Sequence, residues 1–303
     1  MLPQKTITKS FTIEGKGVHN NQQAKLMFHP SNPNSGIQFL LNGEKVTANL
    51  DSILSTKFQI SIGKSPQVIN TVEHLLSALY GTGVSNCLIE IEGDEIPILD
   101  GSSLNFVEAL NENRFVYKNL YIETKQIPFP IIYKSGLRFI IALPDDHLSI
   151  TSIIEYPDSP IEKLFYEYRH SESNYCKDIA PARTFGFISQ WETLKQNGFA
   201  LGSTLENTII FDDHSLLNPP LRFPDEPLRH KVLDFLAALS LLEYRVHGAF
   251  YLYQPGHSID VPFIHKLNNF LTSNNAKKLI EKEILDSNLI NSLLDKHFTK
   301  TDQ

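Results

Sequence analysis

Asn70-Thr71-Val72-Glu73-His74-Leu75-Leu76-Ser77-Ala78-Leu79-Tyr80 places apolar residues at 72, 75, 76 and 79. That is the i, i+3, i+4, i+7 spacing of a helix with one buried stripe. It predicts a helix over 70–80, with Asn70 as N-cap, Glu73 completing a capping box, and Gly81 and Gly83 ending it. Asn86 to Glu92 then predicts a strand, and Ser102 to Glu112 a second helix after the turn at Pro97 to Gly101. The outline returns in the second half. Asp225 caps a helix with Pro227 in its first turn, and Val232, Leu233, Leu236, Leu239 and Leu242 form its buried face. Ala249 to Tyr253 reads as a strand ending at Pro255-Gly256, and Val261 to Leu271 as a further helix. Residue identity between the halves is negligible, so only the pattern repeats. The expected fold class is α+β, built from two similar halves, each a helix pair packed on a sheet.

The halves are expected at 1–118 and 119–303, with a first insertion at about 46–68 and a second at about 187–210. The tail, about 274–300, reads as an amphipathic helix docked on the body. Hydrophobic residues make up 41% and charged residues 20%, which describes an ordinary globular chain. No run is long enough to span a bilayer, and the N-terminus has no apolar export segment, so a cytoplasmic location is expected. The two cysteines, Cys87 and Cys176, suggest neither a disulfide framework nor a thiolate metal cluster. A net charge of -7 argues against nucleic acid as a partner, yet leaves room for an anionic ligand beside local cations such as Arg229 and Lys231.

The residues with most chemical potential come in three segments. His230 and Asp234 are four apart, which on a helix sets them on one face about 6 Å apart along the axis. With His74 they make a three-ligand set that leaves a position open for water, and Glu73 beside His74 can take that water's proton. Each has a plainer reading. His74 alone fits a helix-surface histidine, His230 and Asp234 an i,i+4 polar pair, and His257 a turn residue after Pro255-Gly256.

Several segments in order carry a resemblance that decides between these readings. They are Gly15-Lys16-Gly17-Val18-His19, Thr71 to Leu76, Pro97-Ile98-Leu99-Asp100-Gly101-Ser102, Ala182-Arg183-Thr184-Phe185-Gly186-Phe187, Leu221-Arg222-Phe223, Arg229 to Asp234 and Gly256-His257. To about Leu271 the chain resembles the UDP-3-O-acyl-N-acetylglucosamine deacetylases, zinc enzymes of lipid A biosynthesis. The resemblance implies a sandwich with the helices between two sheets and zinc on His74, His230 and Asp234. It implies Glu73 as general base, His257 as the acid that protonates the leaving amine, and Thr184 as a donor to the oxyanion. Lys231, Phe185 and His19 are implied to bind substrate, and the second insertion to form an acyl-chain passage. A monomer is expected. The chain departs from the family at Ala238, where an aspartate usually pairs with the histidine matching His257, and also at Gly202-Ser203 and Lys57-Phe58. The Ala238 departure leaves a second reading in view, a catalytically weakened homologue that binds UDP-sugar or acyl ligand.

Overall fold

The computed structural model describes residues 2–157, 159–273 and 287–298. In the first half, strands β2 (Phe11–Lys16), β3 (Gln23–Pro30), β4 (Ile37–Leu41), β5 (Glu44–Thr47) and β9 (Cys87–Glu92) form one sheet in the order β2-β3-β9-β4-β5. Strand β9 runs antiparallel to β3 and parallel to β4. The second half repeats this arrangement. Strands β12 (Ile131–Ser135), β13 (Arg138–Leu143), β14 (Leu148–Tyr156), β15 (Glu162–Arg169) and β18 (Arg245–Tyr253) are ordered β12-β13-β18-β14-β15, with β18 antiparallel to β13 and parallel to β14. In each half the strand that follows the long helix is inserted between two hairpins. The repeat expected from sequence pattern is therefore a repeat of topology.

Between the sheets lie helices α1 (Glu73–Thr82) and α2 (Leu104–Glu112) of the first half and α5 (Glu226–Ser240) and α6 (His257–Thr272) of the second. Helix α1 packs along α5, and every α1 residue is buried. A helix covered on all sides needs no polar face. Gly81 permits the closest approach to it: a Cβ there would sit 2.1 Å from the Tyr175 ring, whose hydroxyl donates to Ser77 Oγ at 2.9 Å. Strand β1 (Pro3–Ile7) pairs with β10 (Arg114–Tyr121), and β11 (Thr124–Gln126) already pairs with β18.

The boundaries correct the sequence reading in places. Helix α1 starts at Glu73, with Val72 at the cap position and no side-chain cap. Asn70 bonds Gln59, Ser61 and the Asp94 carbonyl instead, and the Glu73 carboxylate accepts from Ile60 N. The capping box is absent because tertiary partners took both side chains. Asp225 holds the cap position of α5, but its carboxylate bonds Arg229. Helix α6 begins at His257, four residues earlier than expected, and accommodates Pro262 near its start.

The first insertion forms a three-stranded sheet, β6 (Ile53–Ser55), β7 (Ser61–Lys64) and β8 (Gln67–Ile69). The second holds α4 (Ile188–Gln196) between β16 (Phe185–Phe187) and β17 (Ile209–Phe211), which pair in parallel. Within the tail, helix α7 (Ser287–Phe298) docks Ile290, Leu293, Leu294 and Phe298 on a cluster of Ile132, Phe139, Ile141 and Tyr253. The remainder of the expected tail helix, 274–286 and beyond 298, lies outside the described residues.

One titrating group ties this fold to pH. His170 follows β15, with its Nδ1 2.9 Å from Tyr168 Oη and its ring against Tyr80. Burial, then the charge of Arg245, pull its pKa down to about 3. Between that value and about 6.5, the unfolded chain binds a proton that the folded chain refuses. Stability then rises with pH across the window and is lost on acidification. Chemical denaturation of wild type and His170→Gln between pH 5 and 7 checks this. The wild type is expected to lose more stability on acidification, by a slope approaching about 1.4 kcal/mol per pH unit. Equal slopes would contradict the assignment.

Candidate metal centre

The N-terminal halves of α1 and α5 bring Glu73, His74, His230 and Asp234 to one point between the two sheets. All four are buried. The entry to α1 is fixed by Glu95, 1% exposed, which accepts from the backbone N of His19 and of Asn20, both at 2.8 Å. Thr71 Oγ1 lies 2.9 Å from the same carboxylate. A Cβ at Gly17 would fall 2.2 Å from Glu95 Oε2, so only glycine lets this turn close. The entry to α5 is fixed by Glu226, fully buried, which accepts from Arg183 N, Nε and Nη2 and from Arg222 N. Arg222 in turn donates to Asp100 at 2.9 Å. Three of the quoted segments thus hold one another in place, and Thr184 is carried in the frame, its N donating to Gly101 O at 2.8 Å.

Ligand-capable atoms of His74, His230 and Asp234 all lie within 4.8 Å of one another. The His74 and His230 rings meet edge to face at 4.9 Å. His230 Nδ1 lies 3.0 Å from the Ala182 carbonyl. The carbonyl can only accept, so Nδ1 carries the proton and the Nε2 lone pair stays free. Burial first, then His230, pull His74 down to about 3, and burial also lowers His230; both rings are held neutral, the form that ligates. Burial alone would raise Asp234, but Lys231 and then His230 outweigh it and keep the carboxyl below its usual range. Lys231 Nζ donates to Asp234 Oδ2 at 3.0 Å. Burial opposes the Lys231 charge, and Asp234 more than compensates, so its pKa is raised.

Buried polar atoms normally have partners. Asp234 Oδ1 and His74 Nδ1 are buried and make no hydrogen bond. Two neutral imidazoles and one carboxylate, with free lone pairs in one small volume, fit a zinc-type N₂O donor set. The residues present therefore suit the metal that the resemblance implies.

Around this centre is a cavity of about 370 Å³ lined by every residue singled out from sequence: His19, Glu73, His74, Thr184, Phe185, His230, Lys231, Asp234 and His257. His257 Nε2 lies 3.6 Å from Glu73 Oε1 and 4.0 Å from Asp234 Oδ2. Burial, then the Asp234 charge, raise Glu73 to about 8; burial, opposed by Asp234, lowers His257 to about 4. A divalent ion held here would add the largest local charge. His19 Nδ1 accepts from Ala200 N at 3.2 Å, joining the first half to the second insertion. Lys231 Nζ stands 5.4 Å from the Phe185 ring centre. Phe58, Phe187, Ile188, Trp191, Leu194 and Ile210 give the cavity an apolar arm between the two insertions.

Ala238 is fully buried among apolar neighbours. Glu243 lies beyond the end of α5, in a different cavity beside Arg245. Asp260 accepts from Gly256 N at 3.1 Å and makes no hydrogen bond to His257, whose Nδ1 is buried and unpartnered. Sequence reasoning missed Glu95, Glu226, Trp191 and Tyr156 as parts of the site or its frame. A glutamate one residue inside a helix start, as Glu226 is, offers no local sign that an arginine 43 positions away will claim it.

The family model described as UDP-3-O-acyl N-acetylglycosamine deacetylase matches residues 4–269. Curated proteins named UDP-3-O-acyl-N-acetylglucosamine deacetylase are similar over most of their length. The one from Sulfurimonas denitrificans is 36% identical over 87% of this chain and 90% of its own. That from Thermodesulfovibrio yellowstonii is 34% identical over 87% and 91%, and that from Leptospira biflexa 32% over 94% and 96%.

Proposed function

The chain belongs to the UDP-3-O-acyl-N-acetylglucosamine deacetylase family, and on that premise we propose that it works with one zinc ion held by His74, His230 and Asp234. The reaction is hydrolysis of the N-acetyl group of UDP-3-O-acyl-N-acetylglucosamine, a step of lipid A biosynthesis. The observation that supports the ligand set is the convergence of three buried side chains, two of them with unpartnered polar atoms.

Zinc, when bound, supplies a Lewis acid that polarises the acetyl carbonyl and makes water acidic enough to be deprotonated near neutral pH. Glu73 takes the proton as the water oxygen bonds to the carbonyl carbon. Ile60 N, donating to Glu73 Oε2 at 3.0 Å, keeps the carboxylate aimed while Oε1 faces His257. The Thr184 hydroxyl donates to the oxyanion that forms. His257 passes a proton to the sugar nitrogen as the C–N bond breaks, leaving acetate and a free amine. Lys231, Phe185 and His19 hold the nucleotide sugar, and the apolar arm between the insertions takes the acyl chain.

The functional unit is a monomer of two halves, 1–118 and 119–303, and works in the cytoplasm. Among the described residues no helix is long and apolar enough to cross a membrane. One specific observation favours the weakened-homologue reading, the unpartnered His257 Nδ1 beside a chain that carries Ala238.

Elemental analysis of freshly purified protein tests the metal assignment. One zinc per chain is expected, removable by chelation. Absence of stoichiometric zinc would overturn it.

A further inference from the structure

A second cavity, of about 380 Å³, lies at the other end of the helix layer from the metal centre and shares no lining residue with the cavity there. Helix α1 carries Glu73 and His74 in its first turn and lines this second cavity with Leu76, Leu79 and Tyr80. Helix α5 carries His230 and Asp234 near its start and reaches the cavity with Ser240 at its end. The chain joining the two halves, at 121–123, forms another part of the wall.

Most polar side chains of that wall are engaged within the protein. Gln4 donates to Asn34 and to the Tyr121 carbonyl, and Asn86 donates to Gln4 and Ser85. Ser240 donates to Ala237 O, and Tyr244 to Asn268. Arg245 is the exception. It is only 7% exposed, yet among the described residues its side chain makes no hydrogen bond and no ion pair, and its Nη1 is buried without a partner. Its neighbours differ: Lys5 and Arg114 share the Glu172 carboxylate. What the Arg245 guanidinium does touch is the Tyr80 ring, with Cζ 3.6 Å from the ring centre. A ring face attracts the charge but leaves the donors at the guanidinium edge unfilled. Buried charges are ordinarily paired, and this planar fork of N–H groups matches a carboxylate.

The rest of the wall selects among anions. Ile37, Ala48, Val84, Ile122 and Leu242 make much of it apolar. Glu123 and Glu243 also line it, both exposed; Lys125 stands 3.7 Å from the first, and the second has no cation beside it among the described residues. Helices α1 and α5 both end at this cavity, with the negative pole of their dipoles. These surroundings tolerate one negative group on Arg245 and disfavour a second. We infer that the cavity is a binding site for a monocarboxylate with an apolar body, its carboxylate held by the Arg245 guanidinium. An occupant touches both halves of the fold, Tyr80 from the first and Arg245 from the second.

Calorimetric titration of the holoenzyme with para-bromobenzoate, para-bromobenzyl alcohol and inorganic phosphate tests this. A carboxylate can also ligate a metal, so a crystal soaked in para-bromobenzoate locates the bromine by anomalous scattering. The carboxylate is expected to bind at least about 10-fold more tightly than the alcohol or phosphate, with bromine in the cavity of Tyr80 and Arg245. Arg245→Met, apolar and of similar length, is expected to weaken binding by roughly 10- to 100-fold, the worth of hydrogen bonds to a charged group. No binding of the carboxylate, an affinity that Arg245→Met leaves untouched, or bromine found only beside His74 would overturn the site. Phosphate or the alcohol binding as tightly would overturn the choice of a monocarboxylate. Should Arg245→Met fail to fold, the bromine position decides alone.

Discussion

Glu73→Gln is expected to lower kcat by about 10² to 10⁴ while one zinc stays bound. The substitution keeps size and shape. Its amide oxygen can still accept from Ile60 N, so the start of α1 stays in place. What it loses is a basic oxygen beside the attacking water. Glu73 is 3% exposed and shares its pocket with Asp234, and burial followed by that charge pushes it up to about 8. A carboxylate so strained by desolvation is a willing proton acceptor, and a nearby divalent cation restores its ionised form. Steady-state kinetics with parallel zinc analysis checks this. An unchanged kcat would transfer the base role to another group, with His257 nearest at 3.6 Å.

Asp234→Asn is expected to lose both metal and turnover. The side chain supplies the only carboxylate among the three convergent candidate ligands and carries the negative charge that would offset a divalent ion. The change also strips Lys231 of its 3.0 Å partner, leaving that ammonium, 20% exposed at the side chain, without compensation. Removing one member of a buried ion pair typically costs about 3–5 kcal/mol; partial exposure puts this case below that range. Zinc should fall well below one per chain after dialysis, and turnover below that of Glu73→Gln. An Asn variant that keeps stoichiometric zinc and full activity would show that Asp234 is no ligand.

How much of this was legible in the sequence follows from the range of each interaction. The apolar stripe of α1 and the buried face of α5 are local periodicities, so both helices and their relation to the following strands could be read directly. The repeat of outline between the halves foretold two sheets of like topology. The His230 and Asp234 pair was visible because one helical turn joins them; the arrival of His74 and His257 needed the resemblance, since α1 and α5 meet only in three dimensions. The same limit explains the misses. Asn70 has the chemistry of a cap, but tertiary partners claimed its side chain, while Asp225 turned to Arg229 one helical turn on. Glu95 and Glu226 shape the site through partners 76 and 43 positions away, and no window of sequence contains such a pair. His257 read as a turn residue because it follows Pro255-Gly256, whereas it opens α6, with Gly256 at the cap position.

The most direct test of the account is acetate release by the purified wild-type chain from UDP-3-O-acyl-N-acetylglucosamine, followed before chelation, after chelation and after zinc is returned. One acetate per substrate consumed, lost on chelation and restored by zinc, is the result predicted. Substrate binding without turnover, or turnover indifferent to the chelator, would contradict it.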